Sequence, residues 1–371
     1  MTEGAFVTFA TTVGTANSLL KTTFKNFESN GVTKIRTSEY SIPESLVDYI
    51  ELIDPTVFMG KTTAAVPTST RKTKADAPTK STIDASCSTS ITPKCLQELY
   101  NTVGYTPDPK SGSRIGFGTF LNGSAIYDDL TQFEEYFDIP CQNFSTVIIA
   151  GAPNDQDITT ADFGEANLDV QNIIGISHPL EVTEFLTGGS PPFIPNLDEP
   201  TAADNQNEPY LPYYQYLLSQ PVDTLPQVIS NSYGDDEQTV PEKYALKVCN
   251  LIGLMGLRGI SVLESSGDNG VGAPCQSNDG NKTPQFTPQF PGTCPYITAV
   301  GGTVSVSPEE AWVGSAGGFS NYFSRPIYQE AAVETYLESH ISPAVKKYYE
   351  PFTDFRGRGF PDISAHSVTP E

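Results

Sequence analysis

Two acidic side chains, Glu165 and Asp169, lie four residues apart in the stretch GEANLDVQ, residues 164–171. On a helix this spacing stacks them on one face, one turn apart. Like charges so placed weaken a helix by about 0.2–0.5 kcal/mol, whereas two neighbouring carboxyls can serve acid–base chemistry. The structural alternative is that Glu165 is the N3 partner of a capping Asp162 and that Asp169 is merely exposed.

A third acidic candidate, Asp268, lies in SSGDNG, residues 265–270, at the end of a predicted strand. Asp, Asn and Gly all favour turns, so an ordinary turn is the alternative interpretation. A serine triad built on histidine is poorly supported, because the motif GxSxG is absent and the three histidines lie in no recognisable setting.

Strand and helix patterns alternate from residue 83 onward, and these elements must position the acidic side chains. The predicted strands are SRIGFGTFL, STVIIAGAP, LPQVISNSYG, ISVLESSGD and YITAVGGT, and PEKYALKVCNLIGLMGLRG is a predicted helix. Such alternation predicts a mostly parallel sheet covered by helices. Sites in such sheets form beyond the carboxyl ends of the strands, where SNSYG and SSGDNG both lie.

The charge of the 371-residue chain is strongly acidic, with a net value of −23. Between Arg114 and Lys243 there are 21 Asp and Glu residues and no Lys or Arg. This charge argues against nucleic acid or an anionic membrane surface as a partner, and no apolar run reaches the ~20 residues of a membrane span. Because neighbouring carboxylates raise one another's pKa, we interpret the acidic stretch as an adaptation to acidic surroundings; simple solubility is the alternative.

Six cysteines and three glycosylation sequons favour a secretory route through an oxidising compartment. The sequons begin at Asn122, Asn143 and Asn281. Six cysteines allow fifteen pairings. We expect the disulfides Cys87–Cys95 and Cys275–Cys294, because both close short loops.

Three segments differ in composition along the chain. Residues 1–60 have the pattern of a small α+β unit, in which SIPESLVDYIELI predicts a helix with a Ser41-x-x-Glu44 capping box. Residues 61–82 are basic and rich in Thr, which is typical of an exposed linker that is easily cut. Residues 83–371 form the large unit. The arrangement suggests a zymogen, with an ordinary interdomain linker as the alternative; the N-terminus is not that of a signal peptide.

An ordered set of motifs resembles the sedolisin family, the serine-carboxyl peptidases, and especially its secreted fungal tripeptidyl-peptidase branch. The motifs are GEANLDVQ, TEFLTGGSPPF, ISNSYGDDEQTVPEKYA, RGISVLESSGDNGVGAPC, FPGTCPYITAVGGT and GRGFPDISA. Residues 1–60 resemble the end of that family's propeptide. The resemblance implies a subtilisin-like parallel sheet with helices on both faces, preceded by part of a small α+β propeptide domain.

The resemblance also assigns roles to residues. Glu165 matches the general base that takes a proton from a nucleophilic serine, and Asp169 matches the carboxylate that orients it. Asp268 matches the acid of the oxyanion hole, which can donate a hydrogen bond only when protonated. The stretch Ser232-Tyr233-Gly234 resembles the strand edge that pairs with the substrate backbone. Together they imply acyl transfer at low pH, the release of tripeptides from polypeptides, and a monomer that is secreted and bound by its own propeptide.

The chain departs from the family at its end. The family's serine lies in a G-T-S-A-like motif downstream of PDISA, which these 371 residues do not contain, and its calcium ligands lie in that same missing part. We therefore expect an inactive fragment of a peptidase. The alternatives are a non-catalytic peptide-binding domain on the same fold and an endopeptidase of the same family. A glycoside hydrolase is less well supported. Its acid and base must flank the substrate ~5–10 Å apart, whereas Glu165 and Asp169 are adjacent on one helix.

Overall fold

The parts of the chain described by the computed structural model are residues 2–3, 6–7, 10–29, 32–47, 49–50, 53, 56 and 83–367. The predicted linker 61–82 lies outside them. The strands are β1 Thr2–Glu3, β2 Phe6–Val7, β3 Lys25–Ser29, β4 Val32–Arg36, β5 Arg114–Thr119, β6 Ser145–Ile149, β7 Glu181–Thr187, β8 Val228–Asn231, β9 Asp235–Asp236, β10 Ser261–Ser265, β11 Gln289–Phe290, β12 Thr298–Val304, β13 Glu310–Ala311, β14 Gly318–Ser324, β15 Gly357–Phe360 and β16 Ile363–His366. The α-helices are α1 Val13–Leu20, α2 Pro93–Leu99, α3 Tyr127–Tyr136, α4 Gly164–Ser177, α5 Tyr210–Ser219, α6 Glu242–Leu257, α7 Glu330–Thr335 and α8 Pro343–Tyr349.

Eight strands form the central sheet, in the order β13-β12-β10-β8-β5-β7-β6, with β16 also paired to β12. Every pairing in it is parallel except that of β12 with β13. The five strands predicted in this region all belong to it. The prediction of a mostly parallel sheet is therefore confirmed, and the carboxyl ends of β8 and β10 lie side by side, next to the middle of β12.

Helices cover both faces of the sheet, as predicted. Side chains alternate between the faces of a strand, so Phe117 and Val182 pack with α3 and α4, whereas Phe185 and Ile229 pack with α5 and α6. The cluster beneath α5 and α6 is the larger of the two. The sheet therefore separates two cores, and polar side chains on its opposite faces belong to different environments.

The predicted helix in the second half of the chain is confirmed. It is α6, which follows Pro241 and ends two residues before Gly259. The residue Gly259 has a φ of +81°, a left-handed conformation that glycine adopts at little cost. Within the described residues, no helix is long and apolar enough to cross a membrane.

One predicted disulfide is confirmed and the other is wrong. Cys87 bonds to Cys95, but Cys294 bonds to Cys249 instead of Cys275, with 5.6 Å between the Cα atoms. Cys249 lies on the buried face of α6, and Cys294 is also buried, whereas Cys275 is exposed and forms no disulfide. A short loop in sequence therefore did not predict proximity, because the packing of α6 on the sheet brings in a cysteine 45 residues away.

The N-terminal segment contains α1 and the antiparallel hairpin of β3 and β4. The helix predicted to start at Ser41 is wrong in the described part of that segment. A single 3₁₀ turn, Glu44–Leu46, follows Pro43 without a side-chain cap. The backbone N–H of Ser41 instead donates to the carbonyl of Leu20. This contact holds Ser41 against the end of α1, away from a capping position.

Candidate active site

Helix α4 carries Glu165 and Asp169 on the face that packs against the sheet. Glu165 is 6% exposed and lies in the first turn. The N-cap is Phe163, which makes no capping bond through its side chain, so the alternative interpretation of Glu165 as a capping partner of Asp162 finds no support. The carbonyl of Asp162 instead accepts from the N–H of Ser124 at 2.9 Å. Both carboxyls of the pair are therefore turned into the protein.

A hydroxyl from the neighbouring strand end reaches this pair. The Oγ of Ser232, directly after β8, donates to Oδ1 of Asp169 at 2.7 Å. The other oxygen of Asp169, Oδ2, and Oε2 of Glu165 are buried and find no hydrogen-bond partner among the described residues. A buried carboxylate without donors is costly, so this pair favours a state in which protons remain on it.

The surroundings raise the pKa of both carboxyls. Burial is the main cause for Glu165, and the negative charges of Asp169 and Asp268 add to it. Burial also raises the pKa of Asp169, with a further contribution from the charge of Glu184. The Ser232 hydroxyl acts in the opposite direction on both. The pair thus has the coupled, shifted titration that is typical of acid–base sites.

A cavity of about 280 Å³ opens at the carboxyl ends of β8 and β10, beside residues 300–302 of β12. Ser232, Asp268, Trp312 and His366 are among the residues that line it. Asp268 follows Gly267, whose φ of +100° turns the chain at the strand end. Burial raises the pKa of Asp268, which keeps its carboxyl protonated, and able to donate a hydrogen bond, to a higher pH than in water.

The strand edge that resembles a substrate-binding edge is partly occupied by bonds within the protein. The N–H of Tyr233 donates to Oε1 of Glu264 at 3.3 Å, and its carbonyl accepts from the hydroxyl of Tyr210 at 2.8 Å. The carbonyl of Gly234 accepts from Nε2 of Gln289 at 2.5 Å. These bonds hold the edge rigidly next to the cavity.

Two buried glutamates near the site were missed from the sequence. Glu184 on β7 lies on the α4 face and accepts from Ala125 N, Thr119 Oγ1 and Thr146 Oγ1, and burial raises its pKa to about 7. Glu264 on β10 lies on the opposite face and is 1% exposed. A glutamate within an apolar strand was the only available signal, and it did not distinguish a buried position from an exposed one.

The remaining predictions concern the glycosylation sequons and a metal ion. The three sequon residues Asn122, Asn143 and Asn281 are exposed. Among the described residues, no group of three or more His, Cys, Asp or Glu side chains could hold a metal ion. The calcium expectation concerned ligands outside this chain, and no chemical step is derived through that ion.

The fold and the site together define an α/β protein with a parallel sheet and an acidic site at the carboxyl ends of its strands. A family model described as "Pro-kumamolisin, activation domain" matches residues 2–59. The chain is 62% identical to tripeptidyl-peptidase sed4 of Aspergillus fumigatus over 99% of this chain and 62% of that protein. It is 40% identical to tripeptidyl-peptidase SED2 of Arthroderma otae over 98% of this chain and 61% of that protein.

Among solved structures, a Pseudomonas sedolisin described as a serine-carboxyl proteinase aligns with a TM-score of 0.49 and 19% identity, over 76% of this chain and 72% of that one. The chain spans about three fifths of the length of the curated relatives it matches. The resemblance is confirmed by these relatives: the chain is a homologue of the fungal tripeptidyl-peptidases of the sedolisin family.

Proposed function

We propose that this chain carries the carboxyl machinery of an acid-acting serine-carboxyl peptidase that releases tripeptides from the N-termini of polypeptides. The observation that carries the proposal is that the charges of Asp169 and Asp268 both act on Glu165, while Asp268 and the Ser232 that donates to Asp169 line one strand-end cavity. The names of the two tripeptidyl-peptidases at 62% and 40% identity support the substrate class.

Each acidic residue has a role that its environment suits. Glu165 would take the proton of a serine hydroxyl as that oxygen attacks the peptide carbonyl, and Asp169 would orient Glu165. The protonated carboxyl of Asp268 would donate to the oxyanion, a contact typically worth ~3–4 kcal/mol in the transition state. The peptide C–N bond would then break, with the amine leaving as it takes the proton from Glu165, and water would hydrolyse the acyl-enzyme to release the tripeptide and the serine.

These roles set opposite demands on pH. The base must be ionised, so activity rises as protons leave the Glu165–Asp169 pair. The oxyanion donor must be protonated, so activity falls as Asp268 ionises. A bell-shaped profile follows. Because the pKa of the pair is raised by burial, any donor that lowers it widens the acidic range in which the base works.

The remaining parts of the proposal rest on the chain's composition and its relatives. Residues 1–60 would be the end of a propeptide, joined through the linker 61–82 to a catalytic unit from residue 83 onward. Two disulfides and three exposed sequons support a secreted, glycosylated monomer. We expect peptidase activity, with any calcium requirement of the family, only where a segment carrying the serine motif is joined to these residues.

The decisive experiment compares two isosteric substitutions in a protein that contains this chain and a serine motif. Glu165→Gln should abolish the release of tripeptides at pH 4 while peptide binding persists. Glu134→Gln, which alters a buried glutamate on α3, is the control and should keep activity within a few-fold. Full activity of Glu165→Gln would reject the assignment of the base. Peptide binding without any hydrolysis by the unsubstituted protein would favour the non-catalytic binding domain.

A further inference from the structure

The side chain of Ser232 has no role in the strand-edge hypothesis, which concerns the backbone of Ser232, Tyr233 and Gly234. Its hydroxyl is nevertheless the donor that reaches the carboxyl pair from another element, at 2.7 Å from Oδ1 of Asp169. The pair carries two further buried oxygens without partners among the described residues. The hydrogen bonding of the Asp169 carboxyl therefore depends on the Ser232 hydroxyl.

The position of this hydroxyl is fixed from the other face of the sheet. Because residues alternate along a strand, the neighbours Asn231 and Tyr233 point to the α5–α6 face. Asn231 Nδ2 donates to Oε2 of Glu264 at 3.2 Å, while Tyr233 N donates to Oε1 at 3.3 Å. Ser232 is thus held on both sides by one buried carboxyl group, and its side chain faces α4 with little freedom.

The charged groups around Asp169 all oppose its ionisation. Glu165 lies one turn away on the same helix, and Glu184 faces it from β7. Asp268 faces Glu165 from the strand end after β10. Against these carboxyls, a hydrogen bond from a hydroxyl favours the charged form of its acceptor.

We propose that the Ser232 hydroxyl is a positioning group of this site: it holds Asp169 charged and aligned with Glu165, so that the pair can accept a proton in acid. This role rests on the proposed function for its chemistry, whereas the contact itself is independent of catalysis. Ser232 is not a catalytic residue here, because its hydroxyl acts on the carboxyl pair and takes no part in the bonds that form or break.

The first experiment measures the ionisation of Asp169 in the 371-residue chain, through NMR of isotope-labelled aspartate carboxyl carbons, with the signal assigned by its loss in Asp169→Asn. In Ser232→Ala the midpoint should move up by about one pH unit, which corresponds to one hydrogen bond to a charged group. Ser232→Thr keeps a hydroxyl and should restore the original midpoint.

The matched control is Ser177→Ala. Ser177 lies on the same helix α4, its Oγ is buried without a partner among the described residues, and its Cα lies roughly 12 Å along the helix from that of Asp169. This control should leave the midpoint unchanged. The proposal is overturned if the midpoint does not move in Ser232→Ala, or if it moves equally in Ser177→Ala. If Ser232→Ala does not fold, Ser232→Thr is used instead. Asp169 must then titrate in that variant as it does in the unsubstituted chain.

The second experiment uses the protein with a serine motif. The acidic limb of the kcat profile should move up by about one pH unit in Ser232→Ala, with an unchanged plateau and unchanged KM. A purely structural contact would lower the plateau or raise KM without moving the limb, and that result rejects the role. If the unsubstituted protein is inactive, the proposed function fails, while the titration of Asp169 still decides the contact.

Discussion

The two faces of the central sheet each bury glutamate near the same strand ends, but they treat it differently. On the α5–α6 face, Glu264 accepts bonds from Tyr210 Oη, Tyr233 N and Asn231 Nδ2, at 3.2–3.3 Å. On the α4 face, Glu165 and Asp169 together receive one bond from Ser232 and retain two unpartnered oxygens among the described residues.

The difference indicates which carboxyls are structural and which are reactive. A fully bonded buried carboxyl has no capacity left for a substrate and acts as an acceptor for backbone and side-chain donors. A buried carboxyl without donors is destabilising, and such groups persist chiefly where function requires them. Glu264 and Glu165 are both buried, and their hydrogen bonds distinguish them.

The largest expected effect tests what the two faces share, the burial of carboxyls. Burial raises the pKa of Glu184, on the α4 face, and of Glu237, in the 3₁₀ turn Glu237–Thr239, to about 7. Because these values lie above those of the unfolded chain, the stability they contribute is fully present below about pH 4.5 and is lost as the pH rises toward 7. The free energy of unfolding should fall by on the order of 5 kcal/mol between pH 4.5 and 7.5.

Denaturant unfolding at these two pH values measures this change. An unfolding free energy that stays level or increases with pH would contradict the burial of these ionisable carboxyls. A decrease confined to the catalytic pair would also contradict it, and Glu165→Gln distinguishes that case because it removes one member of the pair while Glu184 and Glu237 remain.

The next largest effect tests the α5–α6 face, where Glu264 accepts hydrogen bonds. Glu264→Ala leaves Tyr233 N and Asn231 Nδ2 without this acceptor in a buried site, whereas the Tyr210 hydroxyl keeps the carbonyl of Tyr233. Removing one partner of a buried network costs the desolvation penalty of the groups left behind, so we expect a loss of about 3–5 kcal/mol at pH 5. Glu264→Gln keeps one acceptor oxygen and should lose less than half as much. Equal losses in both variants would show that side-chain volume, rather than hydrogen bonding, sets the stability.

The sequence predicted the elements better than the contacts between them. Helix α6 and the strands that converge at the cavity follow from local periodicity, and parallel pairing then places the ends of β8 and β10 together. The predicted acidic residues Glu165, Asp169 and Asp268 therefore meet in one region. That part of the site was predictable because it depends on strand direction and on one helical turn.

What could not be predicted depends on packing between distant elements. In ISVLESSGD, Glu264 shares a strand face with Ile260 and Val262, but an acidic side chain in an apolar strand gives no sign that the packing of α5 and α6 buries it. The partner of Cys294 was misassigned for the same reason, since α6 brings in Cys249. The hydroxyl of Ser232 gave no signal either, because its acceptor lies 63 residues earlier in the chain.

The smallest expected effect is an increase in the free energy of unfolding, and it concerns the α4 face. Glu165→Gln removes a carboxyl whose pKa is raised, keeps its shape and supplies an amide group one helical turn from Asp169. At pH 7 it should increase the free energy of unfolding by about 1–2 kcal/mol, and the gain should shrink toward pH 4, where the pair carries more protons and the burial of its charge costs less. Denaturant unfolding at the two pH values measures both. If Glu165→Gln instead lowers the free energy of unfolding at pH 7 as much as Glu264→Gln does, the two faces do not differ. If it raises that free energy and also abolishes hydrolysis, Glu165 is retained for its chemistry at a cost in stability.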